Sequence, residues 1–166
     1  MHSICSLACA SLVALAASTS SHAALVDIAT IQTFGGNSSV ATAISDFGLV
    51  TGAASTLEDQ TRAFQFNVNS SNLSNLGTVA DGGNSFGYAI NATGQVAGDA
   101  LAANNKYHAV RSTGAMSLAD LHPAGDQLYS HAYGINDAGV IVGSANTVTS
   151  GNRRLAFRMD GNLRTT

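Results

Sequence analysis

A ten-residue segment recurs three times in this chain, at intervals of 46 and then 45 residues. Ala43-Ile44-Ser45-Asp46-Phe47-Gly48-Leu49-Val50-Thr51-Gly52 returns as Ala89-Ile90-Asn91-Ala92-Thr93-Gly94-Gln95-Val96-Ala97-Gly98, and again as Gly134-Ile135-Asn136-Asp137-Ala138-Gly139-Val140-Ile141-Val142-Gly143. A fixed period of this size marks a repeat architecture, in which each copy is one supersecondary unit that buries its apolar faces only against its neighbours. Three copies are expected, at about 34–78, 79–123 and 124–166, within one repeat domain spanning 24–166.

Within each copy, Asn-x-x-Gly (Ser45 to Gly48 in the first) separates two short apolar runs, which predicts a hairpin whose glycine closes the loop in the left-handed region. The strand before the turn alternates: Val40, Thr42 and Ile44 against Ala41 and Ala43; Phe86, Tyr88 and Ile90 against Gly87 and Ala89; His131, Tyr133 and Ile135 against Ala132 and Gly134. One bulky and one small face, neither with a carboxylate or lysine, predicts a strand buried on both sides, as in stacked sheets. The second strand is expected to close on Gly52, Gly98 or Gly143, followed by a polar loop of about ten residues. A third strand follows at Arg62–Phe66, Tyr107–Arg111 and Leu155–Met159, and a fourth at Leu73–Leu76 and Met116–Leu121. The fold class expected is therefore all-β, built from repeated four-stranded antiparallel units. Four strands per period of about 45 residues is the content of a β-propeller blade. A parallel β-helix is the competing repeat fold, but it winds without tight hairpins.

The order Gly-Gly-x-Ser, Ala-x-x-Ile-Asn-x-x-Gly-x-Val-x-Gly, His-Ala-Phe, Asp-Leu resembles the HAF repeat family of extracellular bacterial proteins, over nearly all of residues 25–166. The His-Ala-Phe triplet stands here as Arg62-Ala63-Phe64, His108-Ala109-Val110 and Leu155-Ala156-Phe157, so no copy keeps all three residues. The resemblance implies a secreted or surface repeat protein with propeller-like blades and no defined catalytic activity.

Residues 1–23 read as a signal peptide, with an apolar run from Ile4 to Ala17 and a small-x-small exit at Ser21-His22-Ala23. That predicts an extracellular, cell-surface or periplasmic protein with no membrane span after signal removal. Both cysteines, Cys5 and Cys9, lie in this leader, so the remainder could form no disulfide. Charged residues are 10% of the chain, against about 25% in a typical soluble domain. The net charge of −3 and the lack of a basic cluster exclude a nucleic-acid partner, whose phosphates reward a Lys/Arg face. Arg153-Arg154 is the one basic doublet, and is expected in a solvated loop. The segment Leu25–Ile31 resembles an extra fourth-type strand. It is expected to complete the last unit, which runs out at Arg164-Thr165-Thr166. Three blades fall below the usual four to eight, so the alternatives are association of chains to complete a ring, open stacking, or a piece of a longer array.

Chemistry-bearing residues are sparse. Glu58-Asp59 is an isolated acidic pair in a loop, whereas a glycosidase needs two carboxylates opposed across a sugar. The copies replace His108 by Arg62 and Leu155, and His131 by Val40 and Phe86, which reads as structural drift. His122 falls in a linker. Gly35-Gly36-Asn37-Ser38 and Asp81-Gly82-Gly83-Asn84-Ser85 lack the spacing of a calcium or phosphate loop, so no metal or cofactor site is expected. Tyr88 and Tyr133 share one repeat position and are expected in the core. Tyr107, beside His108 near a loop end, is the better surface candidate, and Tyr107 and His108 are the candidate ligand-binding residues. The function expected is a non-enzymatic interaction or surface module for an extracellular protein or a glycan, or for further copies of itself. The alternatives are a secreted hydrolase with its site at the ring centre and a structural fragment of a longer array.

Overall fold

Each copy folds into one four-stranded antiparallel sheet whose strands lie in chain order. The structure is a computed structural model and describes residues 30–81, 83–114, 117–123, 128–160 and 163–165. Sheet one holds β1 (Gly35–Ile44), β2 (Leu49–Thr56), β3 (Thr61–Asn67) and β4 (Asn72–Asn75). Sheet two holds β5 (Ser85–Ile90), β6 (Val96–Leu101), β7 (Tyr107–Gly114) and β8 (Ser117–Asp120). Sheet three holds β9 (Ser130–Ile135), β10 (Val140–Asn146), β11 (Arg154–Asp160) and β12 (Leu163–Thr165). A single 3₁₀ turn, Val148–Ser150, is the helical element among the described residues. None of these elements is a helix long and apolar enough to cross a membrane. The expected leader 1–23, with Cys5 and Cys9, lies outside the described residues, as do residues 25–29 of the expected leading strand.

The hairpin turn is built identically in all three copies. Gly48, Gly94 and Gly139 have φ of 74°, 83° and 76°, and their N–H groups donate to the carbonyls of Ser45, Asn91 and Asn136 at 3.0, 3.0 and 2.9 Å. The side-chain oxygens of these same residues accept the N–H groups of Leu49, Gln95 and Val140. Asn or Ser is needed because a short side chain must reach its own backbone four residues on, and Gly because L residues avoid positive φ.

The first strand does not alternate simply. In each copy one residue, Thr42, Tyr88 or Tyr133, is bulged out of register with the second strand. An extra residue reverses the faces of everything beyond it. Phe86 shares a face with its partner Asp99, whereas Ile90, past the bulge, sits with Val96 on the opposite face. The expected bulky-against-small pattern therefore breaks at its middle position. Nor is the strand uniformly buried: Ile90 is 8% exposed, but Ile44, its counterpart in β1, is 65% exposed.

The same bulge explains the glycine that ends each recurring segment. A Cβ on Gly52, Gly98 or Gly143 would fall 1.9, 1.9 or 2.0 Å from the carbonyl oxygen of Val40, Phe86 or His131. These glycines stand inside β2, β6 and β10 rather than at their ends. The strands run on for three or four residues, and the following loops are correspondingly shorter than expected. The expected completion of the last sheet by the leading segment falls mostly on residues 25–29, outside the described residues. Sheet three has its own fourth strand, β12, paired with β11, whereas Ile31 and Phe34 pack on Val50, Ala54 and Phe64 of sheet one. Thr30 and Ile31 belong to no strand.

The sheets stack by one repeated relation. β5 packs on β1, β2 and β3 of sheet one, and β9 packs on β5, β6 and β7 of sheet two. The first interface buries Ala63, Leu76, Ile90 and Val96; the second buries Ala97, Ala109, Leu121, Ala132, Ile141 and Met159. Each is pinned by a serine at the head of the incoming strand: the Ala63 N–H donates to Ser85 Oγ and the Ala109 N–H to Ser130 Oγ, both at 2.9 Å. The three hairpin turns meet at one end, where Ser45, Asp46, Asn91, Ala92 and Asp137 line a common hollow.

Replacing Gly98 by Ala forces a methyl into the Phe86 carbonyl, so the prediction is a destabilisation of about 2 kcal/mol or more. Urea unfolding of the Gly98→Ala variant checks it, and an unchanged midpoint would contradict the bulge geometry.

Candidate ligand-binding site

Two His–Asp pairs are built on neighbouring strands, with different surroundings. His108 on β7 is buried: its Nδ1 lies 2.7 Å from Asp120 Oδ2 and its Nε2 lies 3.1 Å from Asn104 Nδ2. Its ring stacks on that of His122 with centroids 4.2 Å apart, and His122 Nδ1 lies 2.8 Å from Ser130 Oγ. Ser130 is the serine that also receives the Ala109 N–H. Both nitrogens of His108 are thus engaged by protein groups, and the pair ties β7, β8, the loop before β7 and the head of β9 together. A serine, two histidines and an aspartate stand here, but Ser130 contacts His122 while Asp120 contacts His108, so the group is not arranged as a Ser-His-Asp triad, in which one histidine links nucleophile and carboxylate. Tyr107, predicted with His108 as ligand-binding, is half-buried with its ring tilted against Phe86 at 5.9 Å. Glu58 and Asp59 are exposed in the β2–β3 turn, with Asp59 at φ 58°.

The second pair lies at the junction of sheets two and three. Asp99 on β6 is 2% exposed; its Oδ2 lies 2.5 Å from His131 Nδ1 on β9, and its Oδ1 accepts from the Tyr88 hydroxyl on β5 at 3.2 Å. Burial raises the Asp99 carboxyl above the usual carboxylate range, and the hydrogen bond and charge of His131 oppose that shift only in part. The Tyr88 hydroxyl is pushed upward by its burial and by the Asp99 carboxylate. Beside the pair, Tyr133 stacks on His131 with centroids 5.9 Å apart and faces Tyr88 at 6.1 Å. Arg154 at the start of β11 donates from Nη2 to the Tyr133 hydroxyl and from Nε to Ser144 Oγ at 2.9 Å. Its guanidinium carbon lies 6.0 Å from the Tyr133 ring centre. Tyr133 is 49% exposed.

The cluster therefore combines a buried carboxylate, an imidazole, two phenols and a guanidinium, opening to solvent through Tyr133 and Arg154. Three expectations change with it. Tyr133 is not a core residue, Arg154 is a strand residue bonded to a phenol rather than part of a loop doublet, and His131 is bonded to a buried acid. Bulging is what brings Tyr88 and Tyr133 together, since each is the residue pushed out of its ladder. Among the described residues no group of three or more His, Cys, Asp or Glu could hold a metal ion. No protein-family model matches the chain, and no match emerges among curated proteins or solved structures.

A carboxyl whose folded-state pKa is raised binds its proton more tightly folded than unfolded, so its stabilising contribution is present at low pH. That contribution is lost as pH rises from the ordinary carboxylate value, about 3.9, through the folded value. Asp99→Asn removes this dependence. Denaturant unfolding at a series of pH values should show wild type losing stability relative to the variant across that window; a constant difference would contradict a raised Asp99.

Proposed function

We propose that the three sheets are blades of a propeller-like array belonging to an exported, non-enzymatic interaction module, and that the ligand is a glycan taken by the Tyr88–Tyr133 face. The observation that carries this is a half-exposed phenol ring flanked by an arginine and underlain by a buried, hydrogen-bonded carboxylate. An amphipathic ring with polar groups fixed around it suits a polyhydroxylated ligand, which offers apolar ring faces to the phenol and hydroxyls to the Arg154 and His131 groups, with buried Asp99 holding His131 in place. The blade reading is supported by the identical packing of β5 on sheet one and β9 on sheet two, and by the gathering of all three turns about one hollow. It agrees with the resemblance to the HAF repeats, which implies secretion.

Hydrolysis is the less favoured reading because glycosidic cleavage uses a second carboxylate about 5–9.5 Å from the first. Asp99 is bonded to His131 and Tyr88, and its repeat counterparts are Ala53 and Ser144. Binding to immobilised oligosaccharides, followed by titration of any that are retained, tests the proposal. Tyr133→Ala and Arg154→Ala should each weaken binding at least about tenfold, equivalent to about 1.4 kcal/mol, with no reducing ends released. Absence of binding by wild type, or turnover abolished by Asp99→Asn, would overturn it.

A further inference from the structure

The two interfaces between sheets are made from matching residues, and counterparts of those residues stand exposed at the two outer ends of the stack, although on the sheet-one end Ile31 and Phe34 already cover Val50, Ala54 and Phe64 beside them. On the side of a sheet that receives its successor, Thr51 and Ala63 in sheet one and Ala97 and Ala109 in sheet two are all buried. Their counterparts in sheet three, Val142 and Ala156, are exposed, Val142 by 49%. On the opposite side, Gly87 and Ile90 of sheet two are buried, and Ala132 of sheet three is fully so. Their counterparts in sheet one, Ala41 and Ile44, are exposed.

The polar bonds at the interfaces follow the same register. The Ala92 N–H donates to Asp137 Oδ1 of the next turn at 2.8 Å, and Asn91 Nδ2 donates to the Asn136 carbonyl at 3.1 Å. Sheet one carries an aspartate, Asp46, at the position of Asp137, exposed and facing no earlier turn among the described residues. Ser39, at the position of Ser85 and Ser130, donates to the Ile31 carbonyl at 2.8 Å, as Ser85 donates to the Gly77 carbonyl at 2.6 Å. Both of the other serines also receive an alanine N–H from the preceding sheet. Among the described residues no backbone donor reaches Ser39. Ala156 occupies the place of those alanines in β11, opposite Ser144 and beyond the span that β12 covers.

We propose that sheet three of one chain docks on sheet one of a second copy in the register of the two interfaces inside the chain, with Val142 and Ala41 in the places of Thr51 and Gly87 and the strands set further apart, since a Cβ at Gly87 would lie 2.2 Å from Thr51 Oγ1. Val142 and Ala156 would pack on Ala41 and Ile44 of the second copy. The Ala156 N–H would donate to Ser39 Oγ, and the Asp137 N–H to the Asp46 carboxylate. The contact is heterologous, so it either closes or grows as a filament. Two chains of three sheets give six, within the four to eight of closed propellers, so the assembly is a closed pair in which each chain uses both ends. The inference rests on the blade reading but not on the ligand: failure of glycan binding leaves the mass of the assembly unchanged, and a single-chain mass leaves glycan binding untouched.

Light scattering on a sizing column, with wild type, Ala41→Arg and Ala156→Arg, tests it. Both substituted alanines are exposed on their own chain, so a folded single chain tolerates the longer side chain. Wild type should have twice the mass of one chain, and each variant the mass of one. An equimolar mixture of the two variants should recover the doubled mass as a mixed pair held by the one junction whose two faces are both unaltered, its other junction, which carries both arginines, standing open. A single-chain mass for wild type, a ladder of larger masses, or variants that remain paired would overturn the proposal. So would variants that keep wild-type unfolding midpoints yet fail to pair with each other.

Discussion

One close approach recurs in every sheet and conditions the rest: the carbonyl of Val40, Phe86 or His131 occupies the space that a side chain on Gly52, Gly98 or Gly143 would need. That contact is the core of a β-bulge, and the bulge decides which residues face which way. Ahead of it, Phe86 and Asp99 share one face; beyond it, Ile90 turns to the other and enters the interface with sheet one. Without the extra residue, Ile90 and Ile135 would point away from the sheets they pack on. The bulge thus supplies the two-sided surface that lets one sheet lie between two others.

Close packing between sheets follows from small residues in the incoming strand. A Cβ on Gly87 would fall 2.2 Å from Thr51 Oγ1, and Ala132 is wholly buried against sheet two. Such proximity brings serine hydroxyls within reach of a neighbouring sheet's backbone, so Ser85 and Ser130 satisfy amides that would otherwise be buried without partners. In a chain with so few charges, hydroxyls and amides carry the polar bonding: Asn91, Thr51 and Ser112 are buried and bonded.

The repeat made the sheets legible from sequence, because turn residues and apolar runs recur at fixed offsets and four strands fill each period. Simple strand alternation fails because a bulge has no signature of its own beyond the glycine opposite it, and in sequence such a glycine is indistinguishable from a strand end. The junction cluster was hidden for a related reason. Val40, Phe86 and His131, like Ala53, Asp99 and Ser144, differ between copies, and such variation reads as structural tolerance. In the fold, the divergent positions of copies two and three converge, so Asp99 and His131 meet at the second junction where the first brings together Ala53 and Phe86. Tyr107 and His108 stood out in sequence because they neighbour each other near a loop, yet the His108 nitrogens are engaged by Asp120 and Asn104.

The central claim is that three equivalent bulged sheets stack through one repeated interface. Residue-resolved amide hydrogen exchange tests it most directly, since exchange reports opening of individual hydrogen bonds. The Ala63 and Ala109 amides, which face no strand of their own sheet and are held only by Ser85 and Ser130, should exchange as slowly as amides inside the β6–β7 ladder. Fast exchange at both, with the ladder amides still protected, would mean that the sheets form but do not stack as described, and would contradict the account.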